Sequence, residues 1–231
     1  MYKHKHINFY IRAMHKYNKL GYLLVFIIPI LFVLTYYSNI PYALYLIPFI
    51  VYIIIPIIDP IIGRFNLNPS KLEIDTYKED QYYKAILVVW VLVQSLVIGW
   101  LVYVFTVDQI PLSRFIPILM NTFIMTGGVG ITIAHELGHK TTKFERFLSK
   151  VLLVQVCYGH FYIEHNRGHH IHVATPKDPA TSRYNQSFFA FWKQTVFGSF
   201  RSALELEKQR LAQRKKPYTL YNHEVWRLLI A

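Results

Sequence analysis

Two clusters of histidine are the residues best placed to do chemistry in this 231-residue sequence, which contains eleven histidines and a single cysteine, Cys157. His135-Glu136-Leu137-Gly138-His139 sets two imidazoles four residues apart. On a helix that spacing puts both rings on one face, where two nitrogens can reach one metal ion. Glu164-His165-Asn166-Arg167-Gly168-His169-His170 repeats the spacing and adds an adjacent imidazole, turned by about 100° on a helix. One cluster can therefore serve two metals or two faces of one site, and His172 stands close enough in sequence to join it. A lone cysteine rules out both an internal disulfide framework and a thiolate zinc cage, so nitrogen and oxygen must hold any metal.

The first cluster alone matches the pattern of a zinc metalloprotease, in which the glutamate activates a zinc-bound water. Such a site needs only three protein ligands and an open position. The second cluster supplies three histidines by itself, too rich a total for one tetrahedral zinc. Several neutral imidazoles around more than one ion suit a redox-active iron pair, although imidazole also accepts zinc, copper or nickel. Glu136 and Glu164 are then expected to orient imidazole N–H groups rather than to act as bases. His160 has no partner at ligand spacing and reads as a structural or supporting group. His4, His6, His15 and His223 read as surface or core hydrogen-bonding residues.

The elements that must position these clusters follow from composition. Hydrophobic residues make up 53% of the chain, aromatic residues 16% and charged residues 16%, with a mean hydropathy of +0.25 and a formal charge of +12. Soluble domains carry about a quarter charged residues, so a membrane protein is indicated. A nucleic-acid role is excluded by distribution, because the long apolar runs leave no soluble domain across which a basic groove could be laid; the positive charge is expected to face anionic lipid. Four apolar runs predict transmembrane helices over 20–37, 40–58, 85–107 and 115–134, paired as two hairpins. Pro29, Pro48 and Pro56 are tolerated in such helices. No secretory cleavage site follows the first run, which therefore reads as a retained anchor.

Lys3, Lys5, Arg12, Lys16 and Lys19 precede the first span without an acid, whereas the two hairpin tips hold only Arg114. The positive-inside rule then places the N-terminus in the cytoplasm, and four crossings return the chain to that side immediately before His135. Residues 135–225 are expected to be cytoplasmic. Val151–Ile163 is apolar but too short to cross, and 187–214 reads as an amphipathic helix. No repeat or linker marks a second domain, so 1–231 reads as a single membrane-embedded domain: an all-α, multispan transmembrane helical bundle with a cytoplasm-facing, histidine-rich metal site.

With these residues in place, the sequence resembles the integral-membrane alkane hydroxylases (alkane 1-monooxygenases), within the wider membrane superfamily of fatty acid desaturases and hydroxylases. The resemblance rests on His135-Glu-Leu-Gly-His139-Lys140, on Glu164-His165-Asn-Arg-Gly-His169-His170, and on Val173-Ala-Thr-Pro-Lys-Asp178-Pro-Ala-Thr-Ser-Arg183. Tyr158-Gly-His-Phe161 and Pro56-Ile-Ile-Asp59 also fit. It implies that His135, His139, His165, His169 and His170 are ligands of a diiron centre. It further implies that the terminal carbon of an n-alkane is hydroxylated with O2 in the bacterial inner membrane, and that electrons come from rubredoxin, reduced in turn by an NADH-dependent rubredoxin reductase. A related diiron monooxygenase or a fatty acyl desaturase would share the scaffold. Lys140, Lys143, Arg146 and Lys150 would either dock an acidic electron carrier or face lipid.

The family's third box, His-x-x-His-His, and a further ligand histidine in a His-Tyr-Gly setting have no counterpart here. After His172 only His223 remains, in the setting Asn222-His-Glu-Val, and Trp226–Ala231 resembles the first turn of a fifth span. The expectation is a C-terminally truncated sequence with an incomplete ligand set for two irons, weak metal retention and no hydroxylase activity alone. Gly63-Arg64-Phe65 stands where relatives tend to carry an acidic pair.

Overall fold

The computed structural model describes residues 19–63 and 80–231. The basic flank at Lys3, Lys5, Arg12 and Lys16, the histidines His4, His6 and His15, and Arg64-Phe65 lie outside the described residues. Within the described residues every regular element is helical. Four helices are long and apolar enough to cross a bilayer: α1 (Lys19–Tyr37), α2 (Ala43–Ile62), α3 (Gln81–Val107) and α4 (Leu112–Gly138). After them come α5 (Lys143–Gln155), α6 (His160–Glu164), a π-helical turn (His165–His169) with a short helical segment (His170–His172), α7 (Phe188–Gln213) and α8 (Glu224–Ile230).

The four spans fall where the apolar runs predict, with boundaries moved by local chemistry. α2 starts three residues later than expected because the turn before it is longer. Ser38 Oγ accepts the Ile40 N–H at 2.9 Å, and Tyr42 takes a left-handed φ of 60°. It ends four residues later, carried through Pro60 and stopped at Gly63, whose φ is 76°. α3 starts at Gln81 because Asp80 caps it, accepting the Tyr82 N–H at 2.9 Å. α4 begins three residues earlier than expected and runs four residues past Ala134, so the first histidine cluster is its last turn.

The contacts divide the chain into two compact units, residues 1–129 and 130–231. In the first, Phe32, Trp90 and Ile118 are fully buried, and Trp100 packs edge-on against Phe32 and Tyr36 at 5.6 and 5.0 Å between ring centres. A side-chain amide replaces one backbone bond that a proline withholds. Pro48 has no N–H to offer the Leu44 carbonyl four residues earlier, and the buried Asn121 Nδ2 donates to that carbonyl at 2.7 Å. Left unmade, such a buried acceptor would cost about 1–3 kcal/mol.

The second unit is built on the end of α4. Ser149 of α5 donates to the Ala134 carbonyl at 2.6 Å, and the absence of a side chain at Gly138 admits that hydroxyl. α6, α7 and α8 meet in a core of Ile163, Ala203 and Val225, all fully buried. Thr142 and Ser187 cap α5 and α7, accepting the N–H groups of Glu145 and Ala190 at 3.2 and 3.4 Å. The helix predicted over 187–214 therefore forms with Ser187 as its cap. The short apolar run Val151–Ile163 does not form one helix: α5 ends at Gln155, the chain turns at Cys157, where φ is 54°, and α6 begins at His160.

Candidate metal centre

The last turn of α4 presents His135 and His139 four residues apart on a regular helix, as their spacing requires. The second cluster is not regular. α6 passes into a π-helical turn, His165–His169, before a last segment, His170–His172. A π turn widens the repeat from four residues to five, so His165 is brought to His170 rather than to His169. Their Nε2 atoms lie 3.0 Å apart. The widened turn displaces a regular backbone bond, and Asn166 Nδ2 donates to the Tyr162 carbonyl at 2.8 Å.

Four Nε2 atoms thus form a continuous run. His135 to His139 is 3.1 Å, His139 to His165 is 3.1 Å, and His165 to His170 is 3.0 Å. A ring nitrogen carries either a proton or one in-plane lone pair. Each can therefore make one good hydrogen bond, and at most two of the three contacts can be such bonds. A metal ion held among His135, His139 and His165 removes the conflict, because each of these nitrogens then directs its lone pair at the ion. Nitrogens about 2.0–2.1 Å from a common ion sit roughly 2.8–3.4 Å apart at right-angled to tetrahedral geometry, a range that includes the distances in the run. Ligand atoms of His135, His139 and His165 all lie within 4.8 Å of one another, a grouping able to hold a metal ion. Burial, reinforced by the charges of His135, His170, His139 and His169, pushes His165 down to about 3. Burial and the neighbouring His135 and His170 likewise lower His139. Both rings are therefore neutral at physiological pH, the state in which imidazole binds metal.

His169 is held differently. Its ring stacks on His165 at 5.3 Å, and its Nδ1 meets Asp178 Oδ2 at 2.8 Å. Asp178 is 2% exposed. Burial alone would raise its carboxyl, but hydrogen bonds from Thr181 Oγ1, the Ala180 N–H and His169 outweigh it and hold the group below the usual range. An ionised acceptor fixes the proton on Nδ1 of His169 and leaves Nε2 as a lone pair, prepared for a metal. The loop that carries Asp178 is fastened to α7. Thr195 Oγ1 and Gln194 Nε2 both donate to the Pro179 carbonyl at 3.0 Å, and Gly198 leaves room for the Pro179 ring. Phe161 lies flat on His165, 4.8 Å away, and sets the plane of that ring.

Among the described residues, neither glutamate bonds to an imidazole. Glu136, with a 56% exposed side chain, pairs with Lys140 at 3.4 Å, while the buried Glu164 accepts from Ser202 at 3.3 Å. Burial, with the nearby Asp178 charge, raises the Glu164 carboxyl. The orienting role belongs to Asp178, which sequence reasoning placed in a motif without assigning it a function; its sign in the sequence is an acid eight residues past the last histidine of the box. His160 is buried outside the cluster, edge-on to Tyr158 and Phe200. His172 has no side-chain contact to the cluster among the described residues, and His223 is buried beside Tyr218 and Trp226.

Fold and site together define an all-α membrane protein with a histidine cluster, able to hold a metal ion, at the end of its fourth span. The fatty acid desaturase family model matches residues 109–231, and the chain belongs to that family. It is similar to alkane 1-monooxygenase of Acinetobacter baylyi, 37% identical over 180 residues that cover 77% of this chain and 43% of the relative. It is also similar to alkane 1-monooxygenase 1 of Alcanivorax borkumensis, 37% identical over 182 residues (78% and 44%), and to alkane 1-monooxygenase of Pseudomonas putida, 34% identical over 175 residues (75% and 43%). The chain spans less than half the length of these curated relatives.

Proposed function

We propose that this protein is an alkane 1-monooxygenase that hydroxylates the terminal carbon of n-alkanes with O2. The observation that carries the reading is the run of four Nε2 atoms, which hydrogen bonding cannot satisfy and a metal can. In this reading His135, His139, His165 and His170 hold iron through those nitrogens, and His169, with its proton fixed on Nδ1 by Asp178, supplies a fifth. Two irons are the assignment that the family resemblance and the number of imidazoles favour; when bound, the pair supplies the oxidising power for a C–H bond that has no polar handle. The chain's own residues hold neutral imidazoles in place, fix their tautomers and ring planes, and receive the substrate from lipid. An alkane partitions into the bilayer, so a path among apolar spans binds it by area, at about 0.8 kcal/mol per methylene.

The electrons come, in the same reading, from rubredoxin and its NADH-dependent reductase, on the cytoplasmic side of a bacterial inner membrane. Of the four cations after the first box, Lys140 faces Glu136 and Lys150 faces Glu224. Lys143 and Arg146 have no acidic partner among the described residues, which favours them as contacts for an acidic carrier. Exposure of Glu136 and its pairing with Lys140 weigh against a zinc protease, whose glutamate must face the metal-bound water. The test uses residues 1–231 within their full natural reading frame, produced in host membranes and supplied with n-octane, labelled O2, rubredoxin, reductase and NADH. The expected product is 1-octanol carrying one labelled oxygen, abolished by His135→Ala. A protein loaded with iron that yields no alkanol, or that desaturates an acyl chain instead, would sink the proposal.

A further inference from the structure

Between the second-cluster histidines stands a cation that touches none of them. Arg167 lies in the π turn, and its guanidinium forks onto two carboxylates from later helices. One terminal nitrogen donates to Glu207 Oε2 of α7 at 3.0 Å, and the other to Glu224 Oε2 at the start of α8 at 3.1 Å. Glu207 is 0% exposed and Glu224 is 8% exposed. Their remaining oxygens are all satisfied. Lys150 of α5 holds Glu224 Oε1 at 2.6 Å, Arg210 Nε donates to Glu207 Oε2 at 2.7 Å, and Glu207 Oε1 takes both Arg210 and the Glu224 N–H, the latter at 2.8 Å. Arg210 also donates to the Asn222 carbonyl at 2.9 Å. Three cations and two anions make one fully connected network across α5, the π turn, α7 and α8. Burial alone would raise both carboxyl groups, but these partners hold both below the usual range.

This network acts on the one stretch whose geometry decides which imidazoles meet. A π turn is a poor conformation by itself, and a one-residue return to regular helix would carry His170 away from His165. Buried charges keep their partners because leaving one unpaired is strongly unfavourable, and a guanidinium offers a separate terminal nitrogen to each carboxylate in a rigid fork, where an ammonium must reach both from one atom. We propose that Arg167 is a positioning residue of the metal centre: by fastening the π turn to Glu207 and Glu224 it holds His165 and His170 in ligating register, so that metal affinity depends on side chains that never touch the metal. The proposal rests on reading the histidine cluster as a metal site.

The test is titration of the detergent-solubilised chain with Co(II), following its visible absorption bands, whose position and intensity report ligand geometry. The unaltered chain is expected to bind with nitrogen-ligand bands. Arg167→Met is expected to weaken binding by roughly tenfold or more and to change the band shape while helical circular dichroism is retained, with Arg167→Lys falling between. Glu205→Gln, on the exposed side of α7, is the control and should bind as the unaltered chain does. If Arg167→Met unfolds the protein, the triple variant Arg167→Met/Glu207→Gln/Glu224→Gln removes the uncompensated carboxylates, and it should fold yet keep the weakened affinity. Unchanged affinity and bands in the single variant, or in the triple variant where the single one unfolds, would overturn the inference while leaving the metal site standing. No Co(II) binding by the unaltered chain would overturn both.

Discussion

Asp178 decides which nitrogen of His169 is available. Its carboxylate lies 2.8 Å from Nδ1 and is kept ionised by Thr181 and the Ala180 N–H. Asp178→Asn keeps the shape but offers an amide whose NH2 can donate, which allows the proton to move to Nε2 and block the ligand position. The expected outcome is a metal affinity lower by roughly 10- to 100-fold with thermal stability little changed, measured by metal titration and a melting curve side by side. An unaltered affinity would show that His169 takes no part in binding. At this scale the sequence supplied the identities of the histidines but not their pairings. Four-residue spacing correctly joined His135 with His139, whose nitrogens meet at 3.1 Å. The same rule joined His165 with His169, and the π turn exchanged that partner for His170.

At the scale of elements, the site depends on how a loop and three short helices are seated on α7. The loop bearing Asp178 lies against α7 where Gly198 has no side chain; a Cβ there would stand 2.7 Å from Pro179 Cβ. Gly198→Ala is therefore expected to destabilise the protein by about 1–3 kcal/mol through overpacking, seen as a lower melting temperature. It should also weaken metal binding, because Asp178 moves with Pro179. A normal melt with normal metal affinity would contradict this seating. The apolar runs made the four spans legible, since run length is a local signal of composition, whereas the caps Asp80, Thr142 and Ser187 became evident only in the fold, as side chains bonding to nearby N–H groups. The end of α5 at Gln155 and the start of α6 at His160 were not legible, because the break at Cys157 is a backbone conformation that no local residue type announces.

For the whole molecule, the sidedness expected from charge is open to direct measurement. Cys157 is exposed and is the only cysteine in the sequence, so a membrane-impermeant maleimide reports its side without further engineering. With the histidine region in the cytoplasm, labelling is expected in inverted vesicles and not in intact cells; the reverse pattern would remove the cytoplasmic placement and, with it, access to a cytoplasmic electron donor. The sequence by itself determined that the protein is helical with four spans apolar enough to cross a membrane, that its histidines gather in two spaced clusters, and which family it resembles. These properties are carried by run length, residue type and short spacing, all of which are written along one stretch of chain. Only the tertiary structure decided that His165 meets His170, that Asp178 serves His169, and that Arg167 reaches Glu207 and Glu224, 40 and 57 residues away. Those contacts depend on one irregular turn and on which helices pack against it, and neither is encoded in the spacing of the residues that take part.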